Sequence, residues 1–354
     1  MPALTTVFPT PFGSLEIGGD LPPALTAEIG LNHNGSPELA KELVHAAAVS
    51  GATFVKFQKR SPADLAVAAF LDAPFAKCPA LGRTQREVRQ RLELSLADYV
   101  SLRRYAESLG LVFCASAFDL PSLRFLLEAG VGVVKVASHS VTNGPLLRAV
   151  AATGLPVVCS LGGATETERD AAVASLRGNP LVLLHCVSSY PTPDGLMRLD
   201  TIPYLRERYG LPVGLSSHED GIEFSVAATV LGAAVIERHL TLDRAMAGLD
   251  HGISLTPPEF AAMARSVRRL HKGRGLATGV LPEERAAKDA YHVAVCSRQA
   301  IAKGAVLTAD MLACKQPLTD PARFFTGLEE GLVVGRRALA DIPADTPIRR
   351  EEVG

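Results

Sequence analysis

The sequence carries no excess of charge: 36 Lys and Arg against 37 Asp and Glu leave a net charge of -1. Its basic residues are scattered, with no basic block to suit a nucleic acid and no basic amphipathic face to suit a membrane surface. No uninterrupted apolar stretch is long enough to cross a bilayer. The opening, MPALTTVFPTPFGSLEIGG, holds neither a basic leader nor an apolar run, so no signal peptide is expected. Nor is there a C-x-x-C pair: the six cysteines stand singly at 78, 114, 159, 186, 296 and 314. Cys114, Cys159 and Cys186 fall inside strand-like runs, where a thiol usually behaves as a small buried apolar group. Isolated thiols fit a reducing, cytoplasmic setting. A phosphate-binding loop motif is missing too, but barrels often build anion sites from strand ends and loops instead.

What is present is a well-cored chain. Its 354 residues are 47% hydrophobic and 21% charged, which excludes a disordered protein and allows one barrel-sized domain plus a small second one. From residue 24, short β-rich runs alternate with amphipathic helical stretches. The strand candidates are 24–30, 53–58, 111–118, 133–139, 156–163, 181–190, 212–218 and 234–242. They are near-continuous apolar runs, as expected of parallel strands covered on both faces. Helical patterns such as PELAKELVHAAAVSG and LADYVSLRRYAESLG follow them and stop at glycine. Eight β/α units predict an α/β fold, a (β/α)8 TIM barrel, over 1–275. A doubly wound open sheet rarely needs eight strictly alternating units.

A polar, glycine-containing linker is expected over 276–290, and a small β-rich domain over 291–354. Within that domain AIAKGAVLTADML is echoed by DIPADTPIRREEV, so that Ile301 matches Ile342, Leu307 matches Ile348 and Leu312 matches Val353. The echo suggests internal pseudo-symmetry.

Chemistry in a barrel gathers at the C-terminal ends of its strands. Those ends here carry Glu28, Lys56, Gln58, Ser116, Lys135, Ser138, Ser160, His185, Tyr190, Ser216, His218, Glu237 and His239. Strands of Val, Leu and Ala do not tolerate so many polar groups without a reason. Lys56 and Lys135 lie in apolar strands. They either form salt bridges with Glu28 or Glu237 or, with four serines, aim two cations at a phosphate or carboxylate. His218 and His239 end neighbouring strands and are either core histidines or ligands of a divalent metal. His185 is either a third ligand or, as it is read here, a core residue. Glu28 is either a general acid or base, or only a partner of Lys56.

The same segments carry a family likeness. AEIGLNHNGSPELAKELVHAAAVSGATFVKFQ resembles the opening of the sialic acid (N-acetylneuraminate) synthase family, with its legionaminic, pseudaminic and spore-coat relatives. HCVSSYPTP, GLSSHEDGIEFSVAA and GAAVIERHLTLDRAMAGLDHGISLTPPEF match further family stretches in order, and the C-terminal region resembles the antifreeze-like (SAF) domain. The resemblance implies a transferase that condenses phosphoenolpyruvate with a sugar aldehyde, N-acetylmannosamine or a related amino sugar. The products are a nonulosonic 2-keto acid and phosphate. It places a divalent metal, usually manganese with magnesium or cobalt as alternatives, on His218 and His239. Lys56, Ser116, Lys135, Ser138, Ser160, Ser188 and Ser216 fall on phosphoenolpyruvate positions, and Glu28, Gln58, Tyr190 and Asp250 on sugar-side positions. A homodimer is implied in which each C-terminal domain covers the partner's barrel.

Three departures stand out. Ser140 replaces a family glutamate, Ser217 replaces an aspartate, and Lys315-Gln316-Pro317-Leu318 replaces K-R-P-G, leaving Gln316 on the sugar-side position of an arginine. An unusual acceptor is therefore expected. A phosphorylated acceptor, as in 3-deoxy-octulosonate 8-phosphate synthases, calls for a second basic cluster at the mouth, for which Arg83 and Arg86 are the candidates. A catalytically inactive sugar- or phosphate-binding homologue would keep the anion site but not the metal pair.

Overall fold

A computed structural model describes residues 4–316 and 323–354. A break in the internal contacts between Arg274 and Gly275 divides it into two units, described separately below.

In the first unit, β1 (Thr5–Thr10) and β2 (Gly13–Gly18) form an antiparallel hairpin. Then come β3 (Ala24–Gly30), β4 (Phe54–Lys59), β5 (Val112–Ala117), β6 (Val133–Val136), β7 (Val157–Ser160), β8 (Leu181–Cys186), β9 (Val213–Ser217) and β10 (Val235–His239). These eight close into a parallel barrel, with β10 pairing back onto β3. All eight apolar runs read from the sequence are strands of this barrel.

Two-residue alternation divides each strand between two environments. Leu25, Ala27, Val55, Phe57, Phe113, Val134, Cys159, Leu183, Leu215 and Ile236 point outward and pack with the helices in the main core. The alternate residues Phe54, Val112, Val133, Val158, Val182 and Val235 form a separate apolar layer at the N-terminal end of the barrel. The hairpin, which the strand count did not include, seals that end. Phe8 and Ile17 are buried in the layer, and the Phe8 ring meets Phe54 edge-on at 6.4 Å. One end of the barrel is thus closed with hydrocarbon, and the inward positions further along each strand are left to polar groups. Gly214 is one of the places where no side chain fits: a Cβ there would stand 2.3 Å from Val235 O.

The helices form where caps and apolar spacing coincide. Ser36 accepts from Leu39 N (3.2 Å) at the start of Pro37–Val49, and Ser95 with Asp98 makes a capping box for Leu96–Ser108. Thr201–Tyr209 is a further helix, between β8 and β9, with a proline in its first turn. The connection after β4 is not a plain loop, since it holds three short helices, Pro62–Leu65, Ala68–Leu71 and Gln85–Arg91.

The second unit begins with the stretch read as a linker, which contains a 3-10 turn at Pro282–Glu284 and a helix at Arg285–Tyr291. Its β11 (Ala294–Ser297) and β12 (Leu312–Lys315) pair antiparallel. Around them the sequence echo becomes geometry. The pair Ser297 and Leu312 is repeated by Ala338 and Val353, and the pair Cys296 and Pro347 by Arg337 and Val306. The 3-10 turn Ala309–Met311 is repeated at Arg350–Glu352. At the centre Ile301 and Ile342 exchange two backbone hydrogen bonds of 2.8 Å, and Leu307, Ile348 and Leu312 pack beside them.

Candidate active site

The inward positions toward the C-terminal ends of the strands line a cavity of about 320 Å³. Glu28, Lys56, Gln58, Ser116, Lys135, Ser138, Ser160, Tyr190, Ser216, His218, Glu237, His239 and Asp250 all reach it. Ser188 does not: it is exposed and outside the lining. Gln316 belongs to the second unit, where its Nε2 donates to Tyr291 O at 3.2 Å. Pro317 and Leu318 lie outside the described residues.

The two lysines form the ion pairs that the sequence offered as one alternative, and both reach the cavity. Lys56 Nζ is 2.8 Å from Glu28 Oε2 and 3.6 Å from Glu237 Oε1, and it donates to Ser116 Oγ at 3.3 Å. Lys135 Nζ donates to Ser160 Oγ at 2.7 Å and lies 4.0 Å from Glu237 Oε1. Glu237 also accepts from Ser216 Oγ at 2.9 Å. Burial alone would push the Lys56 ammonium down, but Glu237 and then Glu28 outweigh it and its pKa rises. Burial likewise opposes ionisation of Glu237, and Lys135 and Lys56 overcome it, so its carboxyl is held below the usual range. Lys56 and Glu237 are thus kept charged by their partners, where an unpaired buried charge would cost several kcal/mol.

Glu28 also accepts a hydrogen bond from Gln58 Nε2, and Gln58 Oε1 in turn accepts from Arg60 Nη2. The Ser138 Oγ accepts from Gly162 N at 3.2 Å. A Cβ at Gly162 would fall 2.7 Å from Cys186 O, so only glycine lets β7 come this close to the end of β8. Thiol chemistry has no footing here, because burial pushes the Cys114 and Cys186 thiols up and keeps them protonated.

His218 and His239 face each other with ring centroids 5.5 Å apart, and the Tyr190 ring lies 4.0 Å from His218. His218 Nδ1 is turned to Val187 O at 3.1 Å, and burial followed by His239 lowers its pKa to about 3. It is therefore a neutral imidazole. His239 Nδ1 is buried without a hydrogen-bond partner among the described residues, 3.8 Å from Asp250 Oδ2. His185 is a core residue bonded to Met197 O at 2.7 Å. Asp250 is brought in by the connection after β10, which the turn after β3 holds in place. Asn32 Nδ2 donates to Leu240 O and Ser254 Oγ at 2.8 Å each, and Asn34 Nδ2 to Ala247 O at 2.8 Å.

With this geometry in hand, comparison with known proteins is specific. The NeuB family model matches residues 43–278, and the SAF domain model matches residues 293–353. The chain belongs to the NeuB family. It is 36% identical to the N-acetylneuraminate-9-phosphate synthase of Homo sapiens, over 95% of this chain and 94% of that one. It is 34% identical to the N,N'-diacetyllegionaminic acid synthase of Campylobacter jejuni, over 83% and 90%. The solved N-acetylneuraminic acid synthetase of Leptospira borgpetersenii superposes with a TM-score of 0.69 at 32% identity, covering 80% of this chain and 95% of that one.

Set against this NeuB-family frame, two departures lie away from the cavity. Ser140 is buried in the 3-10 turn after β6, and Ser217 Oγ donates to Glu219 Oε1 (3.3 Å) on the outer side of β9. Arg83 and Arg86 are not a basic cluster at the mouth: Arg86 pairs with Asp72 at 2.6 Å, and neither lines the cavity. Besides Lys56 and Lys135, the basic residues Arg60 and Lys77 line it, and the strand-end reading missed these two along with His139. Arg60 directly follows β4, so extending that reading by one residue finds it. Lys77 has no signal in the sequence, since its place depends on the fold of the connection after β4.

Proposed function

We propose that this enzyme condenses phosphoenolpyruvate with a sugar aldehyde, giving a nonulosonic 2-keto acid and phosphate with cleavage of the C–O bond of phosphoenolpyruvate. The observation that carries the reading is the placement of Lys56 and Lys135 on β4 and β6, both aimed inward with Ser116 and Ser160 as attendant donors. A small anion with a phosphate at one end and a carboxylate at the other matches two such ammonium groups. The names of the relatives support the same class of product.

In this reading C3 of the enol attacks the aldehyde carbon, water captures C2, and the tetrahedral intermediate expels phosphate. Lys56 and Lys135 balance charge on the phosphate and carboxylate throughout. Ser138 and Ser216 add hydrogen bonds. Glu28, fixed by Lys56 on one oxygen and Gln58 on the other, handles the proton at the aldehyde oxygen or the attacking water. Tyr190, Gln58 and Asp250 position the sugar.

The residues present fit a divalent metal. Neutral His218 and the unpartnered Nδ1 of buried His239 are the donor atoms such an ion uses, although no cluster of three or more His, Cys, Asp or Glu occurs among the described residues. A manganese ion held there would polarise the aldehyde and orient water.

The test is phosphate release from phosphoenolpyruvate with manganese, with and without EDTA, across N-acetylmannosamine, its 2,4-diacetamido analogues, mannose and arabinose 5-phosphate. Aldehyde-dependent release is expected. Absence of phosphoenolpyruvate binding by calorimetry would refute the assignment of Lys56 and Lys135.

A further inference from the structure

The ladder between β9 and β10 stops one residue short of the two imidazoles. Its last pair is Ser217 with Arg238, and His218 and His239 are the next residues along the chain. His239 is still paired, with Glu28 on β3. His218 is tied toward β8 instead, by Val187 O at its Nδ1 and by Thr192 N, which donates to its carbonyl oxygen at 2.9 Å. No ladder pair therefore fixes the two rings against each other, although their centroids stand 5.5 Å apart.

A side-chain tie takes the place of that pair on the outer side of the sheet. The Arg238 guanidinium crosses the end of β9, where its Nη2 donates to Glu219 O at 2.9 Å. Its Nη1 donates to Glu219 Oε1 at 2.9 Å and to Gly221 O at 2.7 Å. The Glu219 carboxylate is anchored in turn by Phe224 N at 2.7 Å and Ser225 N at 2.8 Å, at the start of helix Glu223–Val230. Arg238 and Glu219 are each only 1% exposed, so water neither competes for these bonds nor screens them. Arg238 directly precedes His239 and Glu219 directly follows His218, so the pair joins the two backbones where the imidazoles leave them. Ser217 fits the same arrangement. Its hydroxyl donates to Glu219 Oε1 at 3.3 Å, whereas the aspartate of the family pattern would set a second carboxylate against the first.

We propose that Arg238 and Glu219 are positioning residues for a divalent cation: bolted together behind the sheet, they hold His218 and His239 at the separation that lets both imidazoles share one ion. This rests on the metal reading above and extends it from the two ligands to the pair that aligns them. Neither residue touches substrate or ion. Lys56 and Lys135, on β4 and β6, stand outside the tie.

The experiment titrates manganese, followed by electron paramagnetic resonance, into the wild type, Arg238→Met/Glu219→Gln, Arg238→Lys and Leu176→Ala. Calorimetry gives the phosphoenolpyruvate affinity of each. The double variant loses the charged tie, but its amide oxygen at 219 still accepts from Phe224 N and Ser225 N. Its manganese affinity should fall about 10- to 100-fold, as when a partner that orients a metal ligand is lost, while phosphoenolpyruvate affinity stays close to that of the wild type. Arg238→Lys keeps the charge but brings one terminal nitrogen to three acceptors, and should fall in between. Leu176→Ala opens the core under helix Glu166–Leu176 and should lower Tm without moving manganese affinity. Manganese affinity that is unchanged in the double variant, lost in step with phosphoenolpyruvate affinity, or lost equally in Leu176→Ala makes the pair a purely structural one and overturns the proposal. Should the double variant not fold, Arg238→Lys decides by the same two affinities. A wild type that binds no manganese refutes the metal reading itself and this inference with it, whereas a wild type that binds it beside variants that bind equally well refutes this inference alone.

Discussion

Lys56 Nζ and Glu28 Oε2 stand 2.8 Å apart inside the barrel, and each has a second partner: Glu237 for the lysine, Gln58 for the carboxylate. Glu28→Gln therefore removes the proton-handling group without stranding Lys56. The expected result is a fall in kcat of about 100- to 1,000-fold, with the dissociation constant for phosphoenolpyruvate changed less than about 10-fold. Loss of phosphoenolpyruvate binding in step with kcat would make Glu28 a partner of the lysine and nothing more.

Lys135→Met is the complementary change. Glu237 keeps Lys56 at 3.6 Å and the Ser216 hydroxyl at 2.9 Å, so the barrel should still fold. Phosphoenolpyruvate, however, loses a charge-assisted contact, and its affinity should drop by roughly 10- to 100-fold. Calorimetry on a variant of unaltered circular dichroism checks this, and unchanged affinity would remove Lys135 from the anion site.

Chelation separates the histidines from the lysines. EDTA should abolish aldehyde-dependent phosphate release while leaving phosphoenolpyruvate binding measurable, and His239→Ala should do the same without chelator. Activity that survives both treatments would mean that the two imidazoles serve packing alone.

His33 offers a pH signature away from the chemistry. It is buried and accepts from Gly35 N at 3.1 Å, and burial lowers its pKa to about 4 from an ordinary 6.5. Between those values the unfolded chain binds a proton that the folded protein refuses, so stability falls as the pH drops through that window. At pH 5 the loss from this group is about 2 kcal/mol. His33→Asn, which keeps an acceptor for Gly35, should show a smaller fall in Tm between pH 7 and pH 5 than the wild type. An identical fall would assign the effect to other groups.

Arg238 and Glu219 form a fully buried pair at 2.9 Å next to β10. Arg238→Met leaves the carboxylate without its cation and should cost about 3 kcal/mol, the low end for a broken buried pair. Glu219 keeps hydrogen bonds from Phe224 N and Ser225 N at the start of helix Glu223–Val230, which limits the loss. Adding Glu219→Gln should recover part of the Tm, because the amide oxygen accepts those bonds without a charge. No recovery would point to lost packing of the Arg238 side chain as the larger effect.

The barrel was legible because its eight strands are buried on both faces and read as apolar runs. Most of the polar groups that interrupt those runs mark the cavity, with His185, Ser217 and Arg238 as exceptions on the outer side. Lys56, Lys135, Glu237, His218 and His239 were all visible in this way. The hairpin Thr5–Gly18 was not: it is short, its apolar residues do not sort cleanly, since Val7 and Phe12 are exposed while Phe8 and Ile17 are buried, and that burial comes from the barrel end it covers. Helix Thr201–Tyr209 was hidden by Pro203 and by a high content of charge. Lys77 was hidden for a different reason, since it reaches the cavity on a connection whose path no periodicity encodes.

The doubled pairing in the C-terminal unit, with Ile301 and Ile342 bonded across its centre, has a consequence for any fragment of it. One copy of the motif alone exposes the edge of Ile301 and the apolar face of Leu307 and Leu312 that the other copy covers. Such a fragment can satisfy that edge only by pairing with its own twin, so a peptide spanning 291–316 should self-associate with two-fold symmetry, rebuilding between molecules what the intact chain builds within one.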